Sequence, residues 1–201
     1  MQMLHPHRGS IQDYLQEPHD PARGRPQRCP LCSAAHPLRA HGFYSRTLVD
    51  VSYDGSILVR RYLCLLCKRT VSLLPEFVLP YLRFSIPVIG WFLVARLLDK
   101  CTLREAAGMA LQPHMPCQHG QFWVHRFRRQ AEPLCAALTS LTPVARTGDF
   151  VTRALAMLEA IGWIPAHRFL LAQLRAHVLG WPRFLVPYGC RLQFLPDLSG
   201  C

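Results

Sequence analysis

The chain has 201 residues, of which half are apolar, with 17 prolines, nine cysteines and a formal net charge of +11. This length suits one domain or two small ones, and the longest apolar stretch, Leu73 to Leu98, is broken by charges and prolines, which argues against a membrane-spanning helix. The basic excess runs through the whole chain and favours polyanionic partners, of which nucleic acid is the commonest.

The first segment, residues 1–26, is rich in Pro, His, Arg and Gly and shows no sustained periodicity. It predicts a disordered arm with a short helical turn near Ile11 to Leu15. The apolar core of a secretory signal is missing from this segment, and the cysteine count is odd. Both features predict a cytoplasmic protein with reduced thiols.

Two cysteine pairs dominate the next segment, at Cys29 and Cys32 and at Cys64 and Cys67. Two residues between ligands let both thiolates of a pair face one point, so two pairs can close a tetrahedron around one Zn²⁺. A thioredoxin-type redox motif would need a single pair before a helix in a βαβ unit, which fits this sequence poorly. The pattern predicts one structural zinc ion with no open coordination position.

The sequence between and after the pairs predicts β-structure over residues 27–80. Residues 43–49 are β-prone, Asp54-Gly55 is suited to a hairpin turn, and Ile57 to Leu63 reads as a strand entering the second pair. Thr70 to Leu73 predicts a strand leaving it. This is the layout of a small zinc ribbon, in which the metal replaces a core that so short a segment could not supply.

Helical signals begin after the ribbon and fill residues 85–140. Ser85 is a predicted N-cap for a helix to about Leu98, and Thr102 opens a capping box for a helix from Leu103 to about Ala110. After a proline-containing break, a third helix is predicted from about Cys117 or Gln118 to Gln130. The fold class is therefore α+β: a small β-rich ribbon followed by a mainly α-helical region.

The last two of these helices outline a helix-turn-helix, and an ordinary helical hairpin is the alternative, because the break is longer than the usual turn. On the third helix, His125, Arg126 and Arg129 are spaced to share one side and are candidate nucleic-acid contacts. Trp123 and Phe127 are predicted to lie in the core.

Residues 141–201 predict two C-terminal helices and an irregular tail. Asp149 is an expected N-cap for a helix from Phe150 to Ile161, and a second helix is expected from about Pro165 to Leu179. The apolar stripe of the second helix suits packing in a bundle or a homodimer. Residues 181–201 carry no assignable pattern.

Residues 29–86 also carry a family resemblance. The strings CPLC, HGFYSRTL and RRYLCLLCKRTVSLLPEFVLPYLRFS resemble an uncharacterised bacterial family of zinc-ribbon proteins allied to transposase N-terminal regions. In transposases of this layout, a ribbon and a helix-turn-helix recognise DNA at the element ends, and a separate acidic domain cuts it.

The resemblance makes the four paired cysteines zinc ligands and makes four further residues the basic rim of the ribbon: Arg60, Arg61, Lys68 and Arg69. The sequence departs from the pattern at Ser33 and Lys68, which stand where a glycine often follows such pairs. This departure is expected to weaken the turn geometry slightly without removing a ligand.

The sequence predicts a binding protein and no enzyme. Metal-dependent strand transfer needs clustered carboxylates, and the segment after residue 140 holds only Asp149, Glu159 and Asp197. The leading expectation is a DNA-binding, nucleoid-associated protein, either a transposase-like recognition module or a regulator without a catalytic domain. The alternatives are an RNA-binding accessory ribbon and a protein-interaction module with a purely structural zinc.

Overall fold

The computed structural model describes residues 2–5, 7, 10–16, 24–143, 148–174 and 176–180. A four-stranded sheet in the N-terminal part is followed by helices, so the predicted mixed α+β class is confirmed. The elements are β1 (Gln2–His5), α1 (Ile11–Gln16), β2 (Arg39–Val49), β3 (Asp54–Leu63), β4 (Thr70–Pro75), α2 (Ile86–Leu97), α3 (Leu103–Met109), α4 (Cys117–Leu138), α5 (Phe150–Ile161) and α6 (Trp163–Leu174). The division into four segments stays a prediction, and the tail at 181–201 lies outside the described residues.

The strands lie in the order β1-β4-β3-β2. β2, β3 and β4 form an antiparallel meander, whereas β1 pairs in parallel with β4 and places Leu4 opposite Leu74. The segment predicted as an arm thus contains β1 and α1, and α1 coincides with the helical turn predicted near Ile11. The buried Ile11 packs on one face of the sheet, among side chains of β2, β3 and β4.

The hairpin turn between β2 and β3 does not lie at Asp54-Gly55, so that prediction is wrong. Val49 pairs with Asp54, so the turn spans residues 50–53 and both predicted turn residues belong to β3. The Tyr53 ring lies over Gly55, where a Cβ would come within 2.8 Å of its Cζ atom. The missing side chain of this glycine therefore makes room for an aromatic ring and does not form the turn.

Three helices begin where their capping residues predict. The Ser85 hydroxyl accepts from the Val88 N–H at the start of α2, and the Asp149 carboxylate accepts from the Thr152 N–H at the start of α5. Thr102 and Glu105 form the predicted capping box of α3. These confirmed starts rest on local chemistry, because a side-chain oxygen satisfies backbone N–H groups that the first helical turn leaves unpaired.

Two helices end away from their predicted positions. α4 continues to Leu138, past the expected end at Gln130 and through the exposed Pro133, because its apolar stripe continues with the buried Leu134 and Cys135. α6 begins at Trp163 and ends at Leu174, so Val178 of the predicted stripe lies beyond the helix. Trp123 and Phe127 are 1% and 0% exposed, as expected of core residues.

The sheet and the helices are joined at the hairpin end of the ribbon. Val49 bridges to Phe84, the Ser85 hydroxyl donates to the Asp50 carboxylate, and the Gln112 amide donates to the Asp50 carbonyl over 3.0 Å. The Gln112 contact attaches the turn between α3 and α4 to the ribbon. Within the described ranges no single helix has the length and apolar composition to cross a membrane; α5 and α6, bent by 103°, meet both criteria only when taken together.

Candidate metal centre and basic surfaces

The four paired cysteines meet at the end of the sheet opposite the hairpin. Their Sγ atoms all lie within 4.8 Å of one another, with 3.8 Å between Cys29 and Cys67 and 3.7 Å between Cys32 and Cys64. A tetrahedral ion with metal–sulfur bonds of about 2.3 Å, the distance for zinc, separates its ligands by roughly 3.8 Å. The four thiols are therefore close enough together to hold one metal ion.

Each pair lies on a tight turn, which we call a knuckle: residues 29–34 form the first and residues 64–69 the second. The Cys29 N–H donates to the Ala34 carbonyl and the Cys64 N–H to the Arg69 carbonyl, both over 3.0 Å. Ser33 and Lys68 have φ angles of 60° and 56°. These left-handed conformations favour glycine. The two residues at which the sequence departs from the pattern that it resembles thus adopt the backbone that a glycine would supply.

The thiols ionise unequally in this cluster. The backbone N–H groups of Cys67 and Leu66 stabilise the Cys64 thiolate and lower its pKa to about 6. For Cys32, the Ala34 N–H favours the thiolate, but desolvation and hydrogen bonds with the other three thiols outweigh it and raise the pKa to about 11. Four negative charges so close together repel one another, and a bound divalent cation would remove this conflict.

A histidine that was not predicted from the sequence lies beside the centre. The Nε2 atom of His36 is 3.4 Å from the Cys64 Sγ atom, and its Nδ1 atom is 3.2 Å from the Pro37 carbonyl oxygen. The Pro37 carbonyl and the Cys64 thiol raise the pKa of the imidazole. His36 is therefore a candidate hydrogen-bond donor to a ligand thiolate, where it would offset part of the negative charge.

The basic residues predicted on β3 do not share one surface. Arg60 pairs with Leu73 and Arg61 with Ser72 across the sheet, so their side chains leave opposite faces. The Arg60 guanidinium lies 4.4 Å from the centroid of the Phe43 ring, and Arg61 donates to the Thr70 hydroxyl over 3.3 Å. Lys68 and Arg69 are exposed on the second knuckle.

A larger basic surface surrounds the metal centre, and we call it the knuckle end. It comprises five exposed basic residues that lie before, between and after the knuckles: Arg25, Arg28, Arg39, Lys68 and Arg69. Residues 24–49 and 55–75 contain no acidic residue. Of the three acids of the ribbon, Asp50 and Asp54 lie at the opposite, hairpin end, and Glu76 follows β4. Arg25, Arg28 and Arg39 were not predicted from the sequence. The position of Arg25 and Arg28 just before Cys29 could have indicated them, whereas Arg39 reaches this end only because its pairing with Leu63 brings β2 to the second knuckle.

The candidate residues on α4 divide between solvent and the interior. His125 and Arg129 are exposed and lie one turn apart, and Arg128 is also exposed although it was not among the predicted contacts. Arg126 is partly buried, and its Nε donates to the Leu179 carbonyl over 3.0 Å. Residues 117–131 carry no acidic side chain, so the solvent face of this part of α4 is basic.

Residues 29–107 match a family model described as a domain of unknown function, DUF6431. The match covers less than half of the chain and spans the two knuckles, the remainder of the ribbon, α2 and most of α3. Among curated proteins and among solved structures, no match is found. This family model is described as having no known function, so the resemblance to transposase N-terminal regions stays a prediction.

Proposed function

We propose that this protein binds duplex DNA through a ribbon whose fold depends on one structural zinc ion, and that it carries no catalytic domain. It would serve as a transposase-like recognition module or as a free-standing regulator, in the reducing cytoplasm at the nucleoid. Zinc is the metal that four thiolates at tetrahedral spacing favour. Because all four positions are taken by protein ligands, the ion would stabilise the fold and leave no site for a reacting water.

The observation that carries the proposal is the separation of charge along the ribbon. Five exposed basic residues surround the knuckles, and the hairpin acids Asp50 and Asp54 lie about ten strand residues away, which is roughly 33 Å along β3. The third ribbon acid, Glu76, is buried and lies past the end of β4 that is away from the knuckles. A surface with one sign of charge attracts and orients a polyanion. Phosphate contacts from Arg and Lys supply most of the affinity of a protein for nucleic acid.

The basic face of α4 favours duplex DNA over duplex RNA. α4 has 22 residues and follows α3 after a seven-residue break, which is longer than the usual turn of a helix-turn-helix but keeps the order of a short helix followed by a basic one. An exposed helix of this kind fits the major groove of B-DNA, whereas the major groove of duplex RNA is too narrow for one. His125, Arg128 and Arg129 are the side chains that we propose for DNA contacts on this helix.

The test is the salt dependence of affinity for a DNA duplex and for a structured RNA. A variant with Arg28→Gln, Lys68→Gln and Arg69→Gln should flatten the slope of log K against log salt by about 0.9 for each phosphate that is no longer neutralised. Arg153→Gln, which changes a basic residue on α5, is the control and should leave the slope unchanged. Failure of the full chain to bind duplex DNA at low salt, or an unchanged slope in the triple variant, would contradict the proposal; tighter binding to RNA would favour the RNA-binding alternative.

A further inference from the structure

We propose that the second knuckle is an apolar wedge, in which Leu65 and Leu66 enter between base steps of the bound duplex and kink it. This inference rests on the proposed DNA binding and adds a mode of recognition to it. The two leucines occupy the turn between Cys64 and Cys67 and are 44% and 69% exposed. They lie on the same end of the ribbon as the exposed basic residues.

The two knuckles use their central residues differently. Leu31 of the first knuckle is partly buried and packs against the small core formed by Leu38, Tyr62 and Val71. Leu65 and Leu66 occupy the equivalent turn but belong to none of the hydrophobic clusters in the described part of the chain. The second knuckle thus presents to water two side chains whose burial would be favourable.

The backbone holds these leucines in place. The N–H groups of Leu66 and Cys67 point at the Cys64 thiolate, and the Cys64 N–H donates to the Arg69 carbonyl over 3.0 Å. Lys68 then reverses the chain at a φ of 56°. These hydrogen bonds, together with two ligand thiolates when the metal is bound, hold the leucines on the outside of the turn, which is the property that a wedge requires.

Charge and size indicate DNA as the occupant. Lys68 and Arg69 follow the wedge directly and are exposed, so phosphates on either side of an opened base step would find cations nearby. Proteins that kink duplexes insert side chains such as leucine between base steps and repay the lost stacking with wider backbone contact. A stable protein interface buries about 800 Å² on each partner, far more than two leucines provide.

The experiment compares two duplexes of the same sequence, one straight and one with a short central bulge that prebends it. The full chain, loaded with zinc, should bind the bulged duplex about tenfold more tightly, because the cost of bending has already been met. The double variant Leu65→Ala, Leu66→Ala should lose this preference while keeping the salt slope on the straight duplex. Leu65→Met with Leu66→Met should retain it.

The matched control is Leu58→Ala, which shortens an exposed leucine of the same ribbon, 42% exposed and located on β3. The wedge is overturned if the unaltered chain binds the two duplexes equally, or if the double alanine variant keeps the preference for the bulged duplex. In both cases a normal salt slope on the straight duplex would still support the proposed DNA binding. Failure of the unaltered chain to bind either duplex overturns both proposals. A last outcome would assign this surface to a protein partner and also overturn the wedge. In that outcome the unaltered chain binds an acidic amphipathic peptide, and the double alanine variant loses the peptide but keeps its preference for the bulged duplex.

Discussion

Ser33 and Lys68 show what the metal centre demands of single residues. A left-handed φ costs an ordinary residue about 1–2 kcal/mol relative to glycine, and both knuckles accept this cost at the position after the second ligand. The proposed zinc ion would offset this cost, because a structural zinc site contributes about 10–16 kcal/mol to the folding of small zinc domains. With that ion bound, the stability of the ribbon should depend on the thiolates more than on turn propensity.

Cys64→Ser tests this dependence at the level of one ligand. The variant leaves three thiolates and an open position, so the protein should lose its metal and residues 27–75 should lose their protection from amide hydrogen exchange. The measurements are zinc content by elemental analysis and exchange by mass spectrometry. Cys117→Ser, at the exposed start of α4, should retain zinc at the unaltered level. Equal loss of zinc from both variants would remove Cys64 from the set of ligands.

At the level of elements, the sequence predicted what local chemistry determines and missed what long-range contacts determine. The starts of α2, α3 and α5 follow from caps within three residues, and the clustering of the four paired cysteines follows from their spacing. Three other features become visible only in the assembled sheet: the pairing of β1 with β4, the position of the hairpin turn at residues 50–53, and the position of Arg39 at the knuckle end. The same distinction applies to α4, whose arginines look equivalent in the sequence and differ in the fold.

Substitution of Arg129 should consequently lower the affinity for DNA, whereas substitution of Arg126 should lower the stability of the fold. Arg129→Ala removes an exposed cation and should lower affinity for a preferred duplex by about 1–3 kcal/mol, with a smaller loss on random DNA and no change in unfolding free energy. Arg126→Ala removes the donor to the Leu179 carbonyl and should destabilise the protein by about 1–3 kcal/mol. Urea unfolding and competition binding separate the two effects. An unfolding free energy that Arg126→Ala leaves unchanged would disprove its structural role.

At the level of the whole molecule, polar contacts tie the C-terminal part to the rest. Arg168 on α6 forms a two-bond ion pair with Glu76, which follows β4, at 2.7 and 2.8 Å. Glu76 is only 3% exposed, so the ion pair also compensates a buried carboxylate. Arg126 holds the turn after α6 against α4. Behind these contacts lie two buried histidines, His167 on α6 and His177 in the turn that follows.

The two histidines should make the fold sensitive to acid. Burial lowers the pKa of both to about 3, with a further contribution from His177 at His167 and from Arg126 at His177. The unfolded chain takes up these protons near pH 6.5 and the folded chain only near pH 3, so the two histidines cost no stability through protonation above pH 6.5, and the unfolding free energy declines as the pH falls through that window. Each histidine should contribute a slope of about 1.4 kcal/mol per pH unit in the middle of the window.

His167→Leu isolates this effect, because neither ring nitrogen of His167 has a hydrogen-bond partner among the described residues and leucine is of similar size. The variant should match or exceed the unaltered protein in unfolding free energy at pH 7 and should lose less of it down to pH 4. Urea titrations at a fixed concentration of free zinc measure both quantities, and the difference between the two proteins cancels the shared loss of metal in acid. If the unfolding free energies of the two proteins change with pH in parallel, His167 is protonated in the folded state as readily as in the unfolded chain. The buried histidines would then not be the cause of the loss of stability in acid.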